Sequence, residues 1–467
     1  MIDTFAIRCS ILRLAFSGKL TDQISTDGTA ADILARINSK KDIRQNESLP
    51  YPIPDSWAWA KLADLYKINP KVEADGGTDA AFIPMERISG GFCKDFTFET
   101  QKWEQAAKNH TKFEDNDVAF AKITPCFENR KSFIAHGLPN GIGGGTTELI
   151  ILRQKEMLPE YTYYLLLDQR FINAGTASYK GTVGQQRVQS DVIKNYPIPV
   201  APYAEQQRIV NKIEQVFSVL DTIDALQTSY SENLTALKSK LIDAAIQGKL
   251  TEQLSEDGTA EELYQQILIE KQELINQGII NKEKPLPEIK RDILPFSIPS
   301  NWKWIRWGEL SYQIQYGYNA PAKESGRIKM VRITDIQGNK VNWTTVPYCD
   351  IDEESIESYR LHSNDILFAR TGATVGKSYL VESVEEDAVF AGYLIRTSYS
   401  PRLSAKYMKF FMESDFYWKQ LRDGTTATAQ PNCNAKTLSK MLVPLPPIAE
   451  QLRIVEKLDE ILKVINT

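Results

Sequence analysis

The chain has little of what most catalytic or membrane-anchored proteins display. Of its 467 residues only five are cysteines (Cys9, Cys93, Cys126, Cys349, Cys433) and three are histidines (His110, His136, His362). No two cysteines form a CxxC pair, so spacing gives no structural zinc site, and reduced thiols in a cytoplasmic protein are expected. No apolar run reaches the roughly 18 residues of a membrane helix. The stretch "IRCSILRLAFSG" comes nearest to a signal sequence, but Arg8 and Arg13 interrupt it, so it reads as a cytosolic helix. Positive charge is not in excess either: 55 Lys and Arg stand against 60 Asp and Glu, a net charge of −5. Composition therefore argues against a general nucleic-acid binder, and any DNA contact has to rest on local features.

Catalytic signatures are missing as well. There is no HExxH, GxSxG, Gly-rich cofactor turn or Asn-Pro-Pro-Tyr-like methyltransferase loop. "TGATVGKSYL" (Thr371 to Leu380) approaches a phosphate-binding loop, but GxxxxGK[ST] needs a glycine where Thr371 stands, and Gly372 leaves one residue too few. The corresponding first-half stretch, "ITPCFENRKSF", holds no glycine. The run reads as a tight loop presenting Lys377, with an NTPase kept as the alternative that nucleotide binding would revive.

What the chain does have is repetition. "GKLTDQISTDGTA" from Gly18 returns as "GKLTEQLSEDGTA" from Gly248, identical at ten of thirteen positions. "IPDSWAWAKLADL" (Ile53) returns as "IPSNWKWIRWGEL" (Ile298), "NDVAFAK" (Asn116) as "NDILFAR" (Asn364), and "AEQQRIVNKI" (Ala204) as "AEQLRIVEKL" (Ala449). Four landmarks in one order indicate a duplicated unit of about 245 residues. The middle of the chain carries "AEQQRIV", a helical pattern and "GKLTEQ" in succession, whereas the two ends carry these pieces separately. That order suggests a circularly permuted duplication and a pseudo-two-fold molecule with its termini close together.

From Ile209 to Leu241, apolar residues recur at helical steps: Ile209, Ile213, Val216, Leu220, Ile223, Leu226, Tyr230, Leu234, Leu237 and Leu241. This predicts a helix roughly 60 Å long. Matching stripes lie at Val455, Leu458, Leu462 and Ile465, and at Phe5, Cys9, Leu12 and Phe16. An antiparallel coiled-coil-like pairing would bury all three. Gly18 and Gly248 suit helix C-terminal caps, and Thr29 with Asp32 and Thr259 with Glu262 form capping boxes. Short alternating apolar runs between the joints predict mixed α/β (α+β) domains. The expected parts are a helical region at 1–50, a globular domain at 51–200, a helical spacer at 201–295, a second globular domain at 296–447 and a terminal helix at 448–467. Trp57, Trp59, Trp302 and Trp304 read as core anchors.

Two small, polar, Gly/Thr-rich loops occupy matching places, Gly175 to Asp191 and Asp423 to Thr437. They hold Lys180, Gln185, Gln186, Arg187 and Gln189 in the first, and Gln430, Asn432, Asn434 and Lys436 in the second. Gln, Asn, Arg and Lys can read base edges through paired hydrogen bonds, although an ordinary solvent loop has the same composition. Lys122, Arg130 and Lys131, and Arg370 and Lys377, either touch phosphates or merely solubilise a surface.

Several of these motifs together carry a family resemblance. "AQPNCNAKTLSKMLVPLPPIAEQLRIVEKLDEIL", "NDILFARTGATVGKSYL", the IP-x-x-W-x-W openings and the repeated "GKLTEQ" joint resemble type I restriction–modification specificity subunits. The resemblance implies two target-recognition domains, 51–200 and 296–447, each reading one half of a split double-stranded DNA target. It implies a helical spacer that fixes the gap; 60 Å corresponds to about 17 base pairs. It further implies a non-catalytic chain that recruits two methyltransferase (M) subunits and restriction (R) subunits and has no membrane association. AdoMet, ATP and Mg2+ then belong to those partners, and no cofactor to this chain. Partners can supply much of the phosphate binding, so weak DNA binding by the isolated chain is expected. The first loop has "QQRVQSD" where the second has "QPNCNAK", so the two loops do not match residue for residue. A protein-binding coiled-coil scaffold, or a specificity module of another restriction system, remains the alternative.

Overall fold

The computed structural model describes residues 1–37, 50–182, 184–338, 340–424 and 433–465. The chain divides into two compact units, Met1–Ser229 and Tyr230–Thr467. The boundary falls inside one continuous helix, Tyr203–Ile246, of 44 residues.

In the first unit, strand Ala58–Lys61 pairs antiparallel with Pro197–Val200, so the domain opens and closes on one ribbon. Between them lie two four-stranded sheets. One runs in the order Tyr66–Ile68, Leu149–Gln154, Val118–Ala121, Ser132–Ile134, and the other in the order Glu99–Lys102, Asp79–Ile83, Ile142–Gly145, Thr111–Glu114. Val118–Ala121 is buried at every position because cores lie on both of its faces. Val118 and Phe120 enter a core with Tyr161 and Phe171, whereas Ala119 enters another with Phe113 and Phe133. Two-residue alternation of a strand between two apolar layers produces this division.

The second unit uses the same plan with different dimensions. Lys303–Arg306 pairs with Leu442–Leu445. The main sheet runs Ser311–Tyr316, Leu394–Tyr399, Ile366–Ala369, Ser378–Leu380. Ile366 and Phe368 again face one core, and Leu367 and Ala369 the other. The smaller sheet has three strands here instead of four. Trp57, Trp59 and Trp302 are buried and Trp304 is half-buried against Phe296 and Phe416, so the tryptophan openings are core anchors.

The repeated sentence is a joint, built once in each unit with the same bonds. In the first unit the buried Glu205 carboxylate accepts from Trp57 Nε1 (2.7 Å), Gln23 Nε2 (2.5 Å) and Thr21 Oγ1 (3.2 Å). In the second, Glu450 accepts from Trp302 Nε1 (2.7 Å), Gln253 Nε2 (2.5 Å) and Thr251 Oγ1 (3.0 Å). Arg208 pairs with Asp27 as Arg453 pairs with Asp257, each at 2.5 Å. A buried carboxylate is tolerated when donors surround it in this way. Both predicted capping boxes form. Gly18 and Gly248 take φ of +66° and +71°, and a Cβ at either would lie 2.3 or 2.4 Å from Cγ of Pro54 or Pro299. Glycine is required twice for the same reason.

Each joint closes within its own unit, where "GKLT", the globular domain and "AEQ" follow in the same sequence. Within the first unit, helix Thr4–Ala15 runs antiparallel to the part of the long helix around residues 221–224: Arg8 reaches Asp221 (2.5 Å) and Asp224 (2.8 Å), and Thr4 reaches Asp224 (2.5 Å). Within the second unit, Ile242 and Ile246 share a core with Leu458 and Leu462 of helix Ile448–Ile465. The predicted stripe is not buried throughout. Ile209, Ile213 and Leu220 are covered, but Leu226, Tyr230 and Leu237 are exposed.

Candidate nucleic-acid interface

In both units the recognition-loop candidates meet the end of the central strand. In the first, the Lys122 amide donates to the Glu148 carbonyl (2.9 Å), and the Val188 amide to the Lys122 carbonyl (2.9 Å). In the second, the Arg370 amide donates to the Tyr393 carbonyl (3.2 Å), and the Cys433 amide to the Arg370 carbonyl (3.0 Å). These bonds equate Lys122 with Arg370, Glu148 with Tyr393, and Val188 with Cys433.

The first edge centres on Arg187. Its amide donates to the Lys180 carbonyl (3.0 Å), and the Thr124 amide donates to the neighbouring Gln186 carbonyl (2.9 Å), which braces the backbone on both sides. Arg187 Nε and Nη2 donate to the two Glu148 oxygens at 2.9 and 2.7 Å, and Nη1 donates to the Gln185 carbonyl at 3.2 Å. The guanidinium holds the Glu148 carboxyl below its ordinary pKa, mainly through these hydrogen bonds. Lys180 and Gln185 are exposed; Gln186 and Gln189 are half-buried. Gln189 Nε2 donates to the Arg187 carbonyl (3.2 Å), and Lys122 Nζ to the Thr147 carbonyl (2.8 Å).

Arg130 is a correction. It is buried, donates to the carbonyl of Leu167 (3.0 Å) and to Gln169, and lies 4.9 and 5.2 Å from the ring centroids of Phe5 and Phe92. Burial lowers its pKa from the ordinary value. It fastens the domain to the N-terminal helix and has no face to offer DNA. Lys131 is also turned inward, donating to the Met85 carbonyl at 2.8 Å.

The second edge is aromatic. Arg370 lies 4.7 Å from the Tyr316 ring centroid, and Tyr393 is 65% exposed beside it. Asn434 caps helix Ala435–Lys440 by accepting from the Thr437 amide (2.9 Å), which accounts for that asparagine without DNA, while Lys436 is exposed. Gln430 and Asn432 lie outside the described residues. Lys377 lines a cleft of about 490 Å3 with Lys409, Glu413 and Trp418, apart from the Arg370–Tyr316 stack. The near-phosphate loop leads from a short turn at Gly372–Thr374 into strand Ser378–Leu380, not into the helix N-terminus that holds phosphate in such loops. Among the described residues no group of His, Cys, Asp or Glu could hold a metal ion, and no helix is long and apolar enough to cross a membrane.

Sequence reasoning missed Glu148, Tyr316 and Tyr393. Glu148 was findable, since it directly precedes the strand that pairs with "NDVAFAK" and so stands opposite Lys122.

Residues 54–229 and 299–467, each running from the tryptophan opening into the Glu205- or Glu450-bearing helix, match the model of the type I restriction modification DNA specificity domain. The chain belongs to that family. It is 31% identical to the Escherichia coli type I restriction enzyme EcoAI specificity subunit, over all of this chain and 90% of that one. It is 30% identical to the E. coli EcoEI specificity subunit, over 99% and 90%. The Methanocaldococcus jannaschii MjaVIII specificity subunit is 21% identical over 88% and 87%. A solved chain from work on complex assembly and conformational transition of the type I R-M system aligns with a TM-score of 0.59 at 18% identity, covering 89% of this chain and 93% of the other, a likeness of fold.

Proposed function

We propose that this chain is the DNA-specificity subunit of a type I restriction–modification complex, in which each unit reads one half of a split double-stranded target. The observation that carries this reading is one buried joint built twice, with a differently equipped edge on each copy. A duplicated frame with divergent edges suits two different half-sites. The chain recruits two methyltransferase subunits and restriction subunits in the cytoplasm, and the exposed Leu226, Tyr230 and Leu237 support protein contact along the long helix. It has no catalytic centre of its own; AdoMet, ATP and Mg2+ act on the partners. The long helix sets the gap between half-sites.

The deciding experiment is an adenine-methylation map with the gene present and deleted, in cells that co-express the partner methyltransferase subunit. Loss of a motif of two short blocks at fixed spacing is the expected result. An unchanged map with an active methyltransferase refutes the reading in favour of a protein scaffold. Inserting four residues, about one helical turn, near Tyr230 is expected to lengthen the gap or abolish methylation; an unchanged gap refutes the spacer role.

A further inference from the structure

Guanidinium stereochemistry at Arg187 carries a more specific reading, which rests on the proposed function. Arginine has five N–H donors in one plane. At Arg187 three are occupied: Nε and one Nη2 proton by Glu148, and one Nη1 proton by the Gln185 carbonyl. Because Glu148 grips the Nε–Nη2 side, the two remaining N–H groups, the outer one on Nη2 and one on Nη1, both point away from the carboxylate. Two guanidinium donors directed outward suit N7 and O6 of guanine in the major groove. We propose that Glu148 positions Arg187 to read a guanine in the half-site belonging to the first unit.

The same edge could meet a phosphate, but the surroundings favour the base. The Glu148 carboxylate neutralises the guanidinium and would repel an approaching phosphate, whereas a guanine edge carries no net charge. The pair has little reason to exist for stability: the side chains of Arg187 and Glu148 are 44% and 21% exposed, and ion pairs at such positions contribute little. The backbone, by contrast, is braced on both sides of the arginine, as a reading group requires. At the matching place the second unit has Tyr393 instead of a carboxylate, so the device is confined to one half-site.

The test uses the assembled complex of the full chain with its methyltransferase subunit, acting on a plasmid library randomised across both half-sites. Wild type establishes the motif; failure to yield any split motif counts against the proposed function, before the variants are compared. Arg187→Ala is expected to lose discrimination at a single G·C pair of one half-site by about 10- to 100-fold, with the other half-site unchanged. Glu148→Gln, which keeps an acceptor but loses the charge, is expected to relax the same position by a smaller factor. Thermal unfolding of each variant confirms that the fold is intact. A first-unit half-site without any G·C pair overturns the inference. So does a uniform fall in methylation with an unchanged motif and a salt slope reduced by about one, the mark of a phosphate contact. So, finally, do variants that behave as wild type, or that relax two different positions.

Discussion

The two units agree in the buried hydrogen bonds of the joint and differ at the exposed edge. Glu205 and Glu450 collect the same three donors, Trp, Gln and Thr, and Arg208 and Arg453 each hold an aspartate. Gln206 and Gln451 likewise each accept a backbone amide, from Leu158 (3.1 Å) and Ser404 (3.0 Å). A buried polar network tolerates little drift, because any lost partner leaves a desolvated group unsatisfied. The edges carry no such constraint. One holds a carboxylate-gripped arginine, the other an arginine stacked on tyrosine. A frame fixed by buried hydrogen bonds can therefore present edges that change freely, which a modular reader needs.

The comparison breaks most visibly under exchange of a whole domain. Replacing residues 296–447 with another domain of this family is expected to change one half of the methylated motif completely and leave the other half and the gap intact. A change in both halves would refute the independence of the units.

Next in size is the joint. Glu205→Ala strands the donors of Trp57, Gln23 and Thr21, and is expected to destabilise the first unit by about 3 kcal/mol. Glu450→Ala is expected to do the same to the second. Unit-resolved hydrogen exchange distinguishes them; equal loss of protection in both units from either substitution would contradict self-contained joints. Arg130→Ala removes buried contacts from the first unit only, with an expected cost of about 2 kcal/mol and an unchanged motif. A changed motif at full stability would reinstate Arg130 as a DNA contact.

Much of the frame could be read from sequence because its signals are local. Gly18 and Gly248, the capping boxes and the tryptophan openings each impose short-range geometry, and repetition made them visible. The passage from one copy to the next carries no local signal, because the long helix fuses two elements without punctuation: from Ala204 to Gln247 there is no glycine or proline. The stripe from Ile209 to Leu241 looked uniform because helical periodicity records which residues could be buried together. It cannot report that full burial ends after Leu220 and resumes at Ile242. Charged side chains were hardest. Arg130 and Arg187 look alike in sequence, and only the long-range contacts with Leu167 and Glu148 send one inward and one outward.

The smallest expected effect lies at a place where the joints themselves differ in charge. Five residues before the shared glycine, the first unit has Arg13 and the second Asp243. Asp243 Oδ1 accepts from the Asp415 amide (3.0 Å) at the start of helix Asp415–Gly424. Burial, and then the Asp415 carboxylate, push its pKa from 3.8 up to about 6. The corresponding helix of the first unit, Gln169–Ala177, is capped by Asp168, which Arg170 accompanies at 2.5 Å. A carboxyl whose pKa is raised on folding binds its proton more tightly when folded. Its charge therefore opposes folding above about pH 6, and the penalty disappears as pH falls toward 3.8. Between pH 7 and pH 5 the second unit should gain stability from this site while the first does not, by less than about 1 kcal/mol because Asp243 is partly solvated. Asp243→Asn retains the acceptor and removes the charge, so it should raise protection of the second unit at pH 7 and flatten its pH dependence. Persistence of the slope in that variant would place its origin elsewhere, and would leave the units alike in their joints and different only at their edges.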